Sequence, residues 1–223
     1  MNHGLKIGFL CSGNGGLFKE VNRAIKRKIL SSNIVVSVMD RQCAAIGIAK
    51  EFCIPFKILE RKKYDSREHF SSDLLSILRP FSVDLLVLTF DSLLTGQLLN
   101  EYSNRIINVH FSLLPAFRGL NAIENALKYG ARFGGVTIHF VDESMDTGPI
   151  IMQASVPISI FDNRQTLGSK LFSHSVKMLI QVIRWFEQGR IMQNKYGIPF
   201  VKNGNYEGKT FCPDLEIAKL IDS

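Results

Sequence analysis

Cysteine is scarce in this 223-residue chain. Its four cysteines, Cys11, Cys43, Cys53 and Cys212, are scattered, and no Cys-x-x-Cys pair occurs. A disulfide framework or a zinc cage needs cysteines paired at short spacing, so neither is expected. Because 46% of the residues are apolar, the fold can depend on its hydrophobic core. We predict a cytoplasmic protein without a metal.

Long apolar runs are also missing from the sequence. No run approaches the roughly 20 residues that cross a bilayer, so a membrane-spanning helix is not expected. The first residues lead directly into an apolar strand, without a basic segment and a cleavable apolar stretch before it. Secretion is therefore not expected either.

The excess of positive charge is small. The chain has 27 Lys and Arg against 20 Asp and Glu, which gives a formal net charge of +7. The one dense basic run, Lys26-Arg27-Lys28, lies on a predicted helix, and no nucleic-acid-binding module is recognisable. The charge indicates either a small anionic ligand or a surface that is only solvated. We expect small-molecule partners, with neither nucleic acid nor membrane among them.

Hydrophobic periodicity predicts an α/β fold, a Rossmann-like parallel sheet flanked by helices, with longer strands added in the C-terminal half. Predicted strands lie at 5–11, 34–39, 55–59, 84–89 and 106–110, and predicted helices at 17–29, 43–52, 65–78, 94–102 and 121–129. The C-terminal half continues with extended segments at 135–141 and 149–160, a long helix at 167–186 and a tight hairpin at Asn203-Gly204. We assign residues 1–190 to a catalytic domain and 191–223 to a short C-terminal extension of it.

A glycine-rich turn, Ser12-Gly13-Asn14-Gly15-Gly16, follows the first strand. Small residues there let backbone N–H groups and a helix N-terminus face an anion, which favours a phosphate-binding turn. The alternative is a tight turn that needs glycine only for positive φ. A dinucleotide fingerprint would require glycine at Phe18, so a nicotinamide cofactor is supported only by Gly13-x-Gly15 and by Asp40.

An amide, an imidazole and a carboxylate stand in two motifs, Asn108-Val109-His110 and, 36 residues after the histidine, Asp146-Thr147-Gly148-Pro149. Asn108 and His110 are two residues apart on a predicted strand, so their side chains share a face. Such a trio can polarise a carbonyl, move a proton and orient the group that moves it. Taken alone, the histidine could be structural and the acid a loop cap.

These motifs resemble the folate-dependent formyltransferase family over roughly residues 5–190. The matching segments are Ser12-Gly13-Asn14-Gly15, Asn108-x-His110-x-Ser112-Leu113-Leu114-Pro115, Phe117-Arg118-Gly119, Asn121-Ala122, Gly135-Val136-Thr137-Ile138-His139 and Asp146-Thr147-Gly148-Pro149-Ile150-Ile151-x-Gln153. Within the family, the length and the region 120–123 look most like the phosphoribosylglycinamide formyltransferase branch. Neither the C-terminal domain of the methionyl-tRNA branch nor the N-terminal domain of the deformylase branch is expected.

The resemblance implies transfer of a formyl group from 10-formyltetrahydrofolate, a co-substrate, to a primary amine, in the first place glycinamide ribonucleotide of purine synthesis. Asn108 would donate a hydrogen bond to the developing oxyanion, His110 would stabilise the same charge, and Asp146 would orient the imidazole and help to move protons. Thr137 and His139 would support them. Residues 12–16 would hold the substrate, and the folate would contact Arg67, Leu93, Leu94, Val141, Met145, Thr147 and Gly148. The enzyme would be a monomer or a homodimer.

The chain departs from the family in the segments expected to bind the acceptor and the folate. Gly16-Leu17 stands in place of Ser-Asn, Phe111 in place of a proline, and 173–175 lacks a ribose-binding glutamate. The segment 90–94 is one residue shorter and lacks an arginine, and Arg118, Asn121 and Lys170 are our candidate acceptor contacts. Two alternatives stay open: another acceptor, such as a nucleotide-linked amino sugar, and a catalytically altered paralogue that only binds a small molecule.

Overall fold

The computed structural model describes residues 4–90 and 92–217. Two compact units divide the chain, the first formed by Met1–Asn108 with Phe140–Ser144 and the second by Val109–His139 with Met145–Ser223. The fold is α/β with a mostly parallel sheet flanked by helices, as the periodicity predicts. Within the described ranges, no helix combines the length and apolarity that crossing a membrane requires.

The first unit is a wound parallel sheet. Its elements are β1 (Lys6–Cys11), α1 (Gly16–Lys26), β2 (Asn33–Met39), α2 (Ala45–Glu51), β3 (Phe56–Ile58), α3 (Arg67–Leu78), β4 (Leu85–Thr89), α4 (Gln97–Glu101) and β5 (Ile106–His110), whose last two residues belong to the second unit. The strands run parallel in the order β3-β2-β1-β4-β5. The strand sequences are largely continuous apolar runs, because helices cover both faces of such a sheet. The Ser66 hydroxyl caps α3 by accepting the His69 N–H at 3.1 Å.

The second unit is built on longer antiparallel strands. Its elements are α5 (Ala122–Tyr129), β6 (Phe133–Phe140), β7 (Ile150–Pro157), α6 (Arg164–Glu187), β8 (Ile191–Gln193), β9 (Pro199–Val201) and β10 (Phe211–Cys212). β7 pairs antiparallel with both β6 and β10, and β8 pairs with β9. α6 begins three residues before the predicted start, because Asn163 and Thr166 form a capping box there.

The predicted hairpin at Asn203-Gly204 is wrong. A turn is present, with Asn203 at φ 59° and the Gly204 N–H donating to the Val201 carbonyl at 2.9 Å. However, β9 pairs with the preceding β8, and Tyr206 lies in no strand; its hydroxyl accepts the Val201 N–H at 2.7 Å. The turn residues were recognised correctly, but strand partners depend on contacts that a turn motif does not encode. Residues 218–223 of the proposed C-terminal extension lie outside the described residues.

Candidate active site

The second unit brings His110 and Asp146 together. The Nδ1 atom of His110, at the end of β5, lies 3.3 Å from Oδ2 of Asp146, in the loop before β7. The Nε2 atom of His139, on β6, lies 3.6 Å from the other carboxylate oxygen. Only about a tenth of the His110 and Asp146 side-chain surfaces is exposed. A buried acid is therefore flanked by two imidazoles that come from different strands.

A short turn contacts the same pair through its backbone. The Phe117 carbonyl lies 2.9 Å from His110 Nε2, and the Gly119 N–H donates to Asp146 Oδ2 at 2.8 Å. Because a carbonyl oxygen only accepts, Nε2 carries a hydrogen. The other ring nitrogen, Nδ1, faces the Asp146 carboxylate. An imidazole with a hydrogen on each nitrogen can therefore donate to the Phe117 carbonyl and to Asp146.

The environment of Asp146 keeps it ionised. Burial by itself raises the pKa of this carboxyl, but the contact with His139, the Gly119 N–H and the charges of His110 and His139 outweigh burial. The pKa of Asp146 therefore lies below its ordinary value. The arrangement is a carboxylate that stays charged in weak acid and can stabilise a positive imidazole next to it.

Thr137 connects the site to the segment that follows β5. Its hydroxyl donates to the Ser112 carbonyl at 2.7 Å and accepts the Leu114 N–H at 3.1 Å. Gln153, on β7, donates to the Thr137 hydroxyl and to the Leu114 carbonyl, both at 3.0 Å. Thr137 is fully buried, and such satisfied networks fix a loop in one conformation. The supporting position proposed for Thr137 and His139 agrees with these contacts.

Asn108 is the last residue of the first unit and lies two residues before His110 in β5. Because side chains two residues apart on a strand lie on the same face, Asn108 and His110 share a face of β5. Asn108 is half-buried. An amide side chain can donate a hydrogen bond to an oxygen that gains negative charge.

The glycine turn has a structural requirement of its own. Gly13 and Gly15 both have φ near +61°, a conformation in which a Cβ is strained. At Gly15 a Cβ would also lie 2.8 Å from the Cβ of Ala45, whereas at Gly13 it would meet nothing within 4 Å. Ser12 and Gly16 are half-buried and Asn14 is exposed. The need for positive φ explains why Gly13 and Gly15 are glycines. The Gly13-Asn14 segment is exposed, so its backbone is accessible to a ligand.

These two glycines provide a matched stability test. We expect Gly13→Ala to lower the free energy of unfolding by about 1 kcal/mol, the cost of a left-handed alanine. Gly15→Ala should cost about 3 kcal/mol, because the contact with Ala45 adds overpacking of α1 against α2. Urea unfolding of both variants measures the difference. Equal losses would show that the packing against Ala45 carries no cost.

The residues proposed for folate binding are distributed over both units. In the first unit Arg67 is exposed at the start of α3, and Leu93 and Val141 are half-buried. Leu94 is fully buried in the hydrophobic core of that unit. In the second unit Met145 and Thr147 are exposed and Gly148 is buried. Asp91, in the shortened segment, lies outside the described residues.

The three candidate acceptor contacts differ in their surroundings. Lys170 pairs with Asp162 at 2.6 Å, so its charge is already used within the protein. Arg118 is exposed in the turn between Phe117 and Gly119, and the exposed Asn121, at φ 60°, precedes α5. Of the three, Arg118 stands between Phe117 and Gly119, whose backbone groups contact His110 and Asp146.

Sequence reasoning gave no role to the backbone contacts of Phe117 and Gly119 or to the Gln153 side chain. All three residues lie within the motifs that carry the resemblance. However, contacts made by a backbone carbonyl or N–H cannot be recognised from the identity of a side chain. Two signals were available for Gly119: a glycine between two polar motifs, and a loop in which small residues permit positive φ. In the structure Gly119 has φ +79°, in the left-handed region.

The chain belongs to the formyl transferase family, whose model matches residues 5–183. It is 34% identical over 181 residues to a phosphoribosylglycinamide formyltransferase of Bacillus subtilis, covering 80% of this chain and 93% of the relative. A solved glycinamide ribonucleotide transformylase 1 from Symbiobacterium toebii is 30% identical, with a TM-score of 0.86 over 91% of this chain and 96% of that one. A phosphoribosylglycinamide formyltransferase from Anaplasma phagocytophilum is 31% identical, with a TM-score of 0.82 over 92% and 97%.

Proposed function

We propose that this chain transfers the formyl group of 10-formyltetrahydrofolate to the primary amine of glycinamide ribonucleotide, a step of purine synthesis. The observation that carries the proposal is the contact of 3.3 Å between His110 and Asp146, which stand 36 residues apart in the chain. The names of the relatives support formyl transfer to the same acceptor. The side chains that we propose to act on the formyl group, Asn108, His110 and Asp146, lie in the motifs that carry the resemblance.

In the proposed reaction the amine attacks the formyl carbon and a tetrahedral intermediate with a negatively charged oxygen forms. The Asn108 amide and the His110 imidazolium stabilise that oxygen, and one oxyanion donor contributes about 3 kcal/mol to lowering the barrier. When the intermediate collapses, the bond from carbon to the folate nitrogen breaks. The attacking nitrogen loses a proton and the folate nitrogen gains one, and Asp146 assists that transfer directly or through a water.

The contact between His110 and Phe117 bears on how the imidazole reaches the formyl oxygen. Nε2 donates to the Phe117 carbonyl at 2.9 Å, while Nδ1 faces Asp146. We assign Nε2 to the formyl oxygen, which would compete with the Phe117 carbonyl for the same hydrogen. The Asp146 carboxylate, 3.3 Å from Nδ1, orients the ring toward the formyl oxygen.

The remaining assignments complete the proposal. The turn at 12–16 holds the substrate phosphate through its backbone N–H groups. The folate contacts are those named from the resemblance. All four cysteines, which lie within the described residues, are free, and this supports a reducing cytoplasmic compartment.

A spectrophotometric assay tests the proposal. Purified protein is mixed with a 10-formyl folate analogue and glycinamide ribonucleotide, and release of the deformylated folate is followed. Release that requires the amine supports the transferase. Release without the amine would indicate a hydrolase, and turnover only with an amino-sugar nucleotide would replace the acceptor. Tight folate binding without any turnover would favour the altered paralogue.

A further inference from the structure

One three-residue turn, Phe117–Gly119, contacts both members of the His110–Asp146 pair. Its carbonyl end accepts from the imidazole at 2.9 Å, and its amide end donates to the carboxylate at 2.8 Å. Phe117 has φ +50° and Gly119 has φ +79°, so both ends are left-handed. Left-handed positions on the two sides of Arg118 orient a carbonyl and an N–H toward the same buried pair.

The amide end of the turn requires a glycine for conformation and for space. At φ +79° an L side chain is strained, and a Cβ at Gly119 would lie 3.3 Å from Sδ of Met145. Met145 immediately precedes Asp146, which itself has φ +54°. A side chain at Gly119 would therefore press on the segment that carries the acid.

The turn is fastened on its other sides. The Ser112 hydroxyl donates to the Ala116 carbonyl at 2.6 Å, and the Ala116 N–H donates to the Leu113 carbonyl at 3.0 Å. The Phe117 ring packs edge-on against Tyr129 of α5, with 5.9 Å between centroids. Because the turn is held at its start and by its aromatic side chain, it can hold Asp146 in a fixed position.

We propose that Gly119 is a positioning residue for the transfer reaction: its N–H fixes the Asp146 carboxylate against His110, and only glycine allows that N–H to point there. The inference rests on the proposed function, since it names a further residue of the same site. Gly119 acts through Asp146. Among the described residues, the titratable groups that face Asp146 are His110 of β5 and His139 of β6.

Gly119→Ala tests the inference by kinetics. We expect kcat to fall about tenfold or more, the effect of losing a hydrogen bond to a charged group, with KM for both substrates changed less than twofold. Displacement of the N–H weakens a contact that lowers the pKa of Asp146, so the acid limb of the rate profile should move to higher pH. The matched control is Gly130→Ala, since Gly130 has φ +76° and a Cβ there meets nothing within 4 Å. Equal kcat and equal pH profiles in the two variants would overturn the inference.

A second measurement needs neither turnover nor a variant of Gly119. In the unmodified protein, the amide proton of Gly119 should shift in NMR spectra as Asp146 titrates, and this shift should be absent in Asp146→Asn. A Gly119 amide that is insensitive to pH below 5 would overturn the inference even if Gly119→Ala did not fold. Because the NMR titration is made without substrates, it separates failure of this inference from failure of the proposed reaction.

Discussion

His110→Ala is expected to lower formyl transfer at least ~100-fold while the protein stays folded. The imidazole has a partner at each nitrogen, the Asp146 carboxylate at 3.3 Å and the Phe117 carbonyl at 2.9 Å, and alanine removes the group that we propose to stabilise the formyl oxygen. The loss should fall on kcat more than on KM, because the charge develops only in the transition state. Steady-state rates with both substrates varied measure the split.

The matched control for this variant is His69→Ala, which removes an exposed histidine of α3. Its rate should stay within twofold of the unmodified protein. Circular dichroism and thermal unfolding show whether each variant is folded. A near-normal rate in folded His110→Ala would refute the role assigned to the imidazole, whatever the acceptor is.

Asp146→Asn is expected to lose at least ~100-fold in turnover as well. The amide keeps the shape and can still accept the Gly119 N–H, but it brings no negative charge to the imidazoles of His110 and His139. Asp73→Asn, at an exposed position of α3, is the control for removing one acid. Turnover of Asp146→Asn close to that of Asp73→Asn would refute the proposed role of the carboxylate.

The pH dependence of stability provides an independent check on Asp146. Its folded-state pKa is lowered, so the stabilisation from the ionised form is present above the unfolded value of about 3.9 and is lost as pH falls through the folded value. The thermal midpoint of the unmodified protein should therefore exceed that of Asp146→Asn at pH 6. The difference should shrink below about pH 4. A difference that grows in acid would contradict the direction of the pKa shift.

Secondary structure could be predicted closely wherever a local pattern is sufficient. The strand predicted at 106–110 has the observed bounds. The helix predicted at 65–78 from its early acids and from the stop at Pro80 is observed at Arg67–Leu78. The hairpin at Asn203-Gly204 failed because β9 pairs with a strand that precedes it. Periodicity and capping are properties of neighbouring residues, whereas strand pairing is decided by which distant segments bury surface together.

The candidate site divides in the same way. The motifs named Asn108, His110, Asp146, Thr137 and His139, since side chains of these types at such spacing are visible in a sequence. The backbone carbonyl of Phe117 and the N–H of Gly119 were missed, because every residue has both groups and only the fold decides which of them face a buried acid. The resemblance predicts a folate contact for Leu94, and the fold places that residue fully buried in the core; the contact stays a prediction.

The amino-acid sequence by itself determined the α/β class, the order of the elements and the identity of the polar groups, because these follow from local periodicity and from motifs that survive in relatives. The tertiary structure alone decided that His110 and Asp146 lie 3.3 Å apart and that Gly119 holds the acid. The reason is physical: an ion pair of this kind forms only when strands far apart in the chain have paired and the loop between them is fastened. The free energy that stabilises this arrangement is distributed over the whole core, so no single motif encodes it.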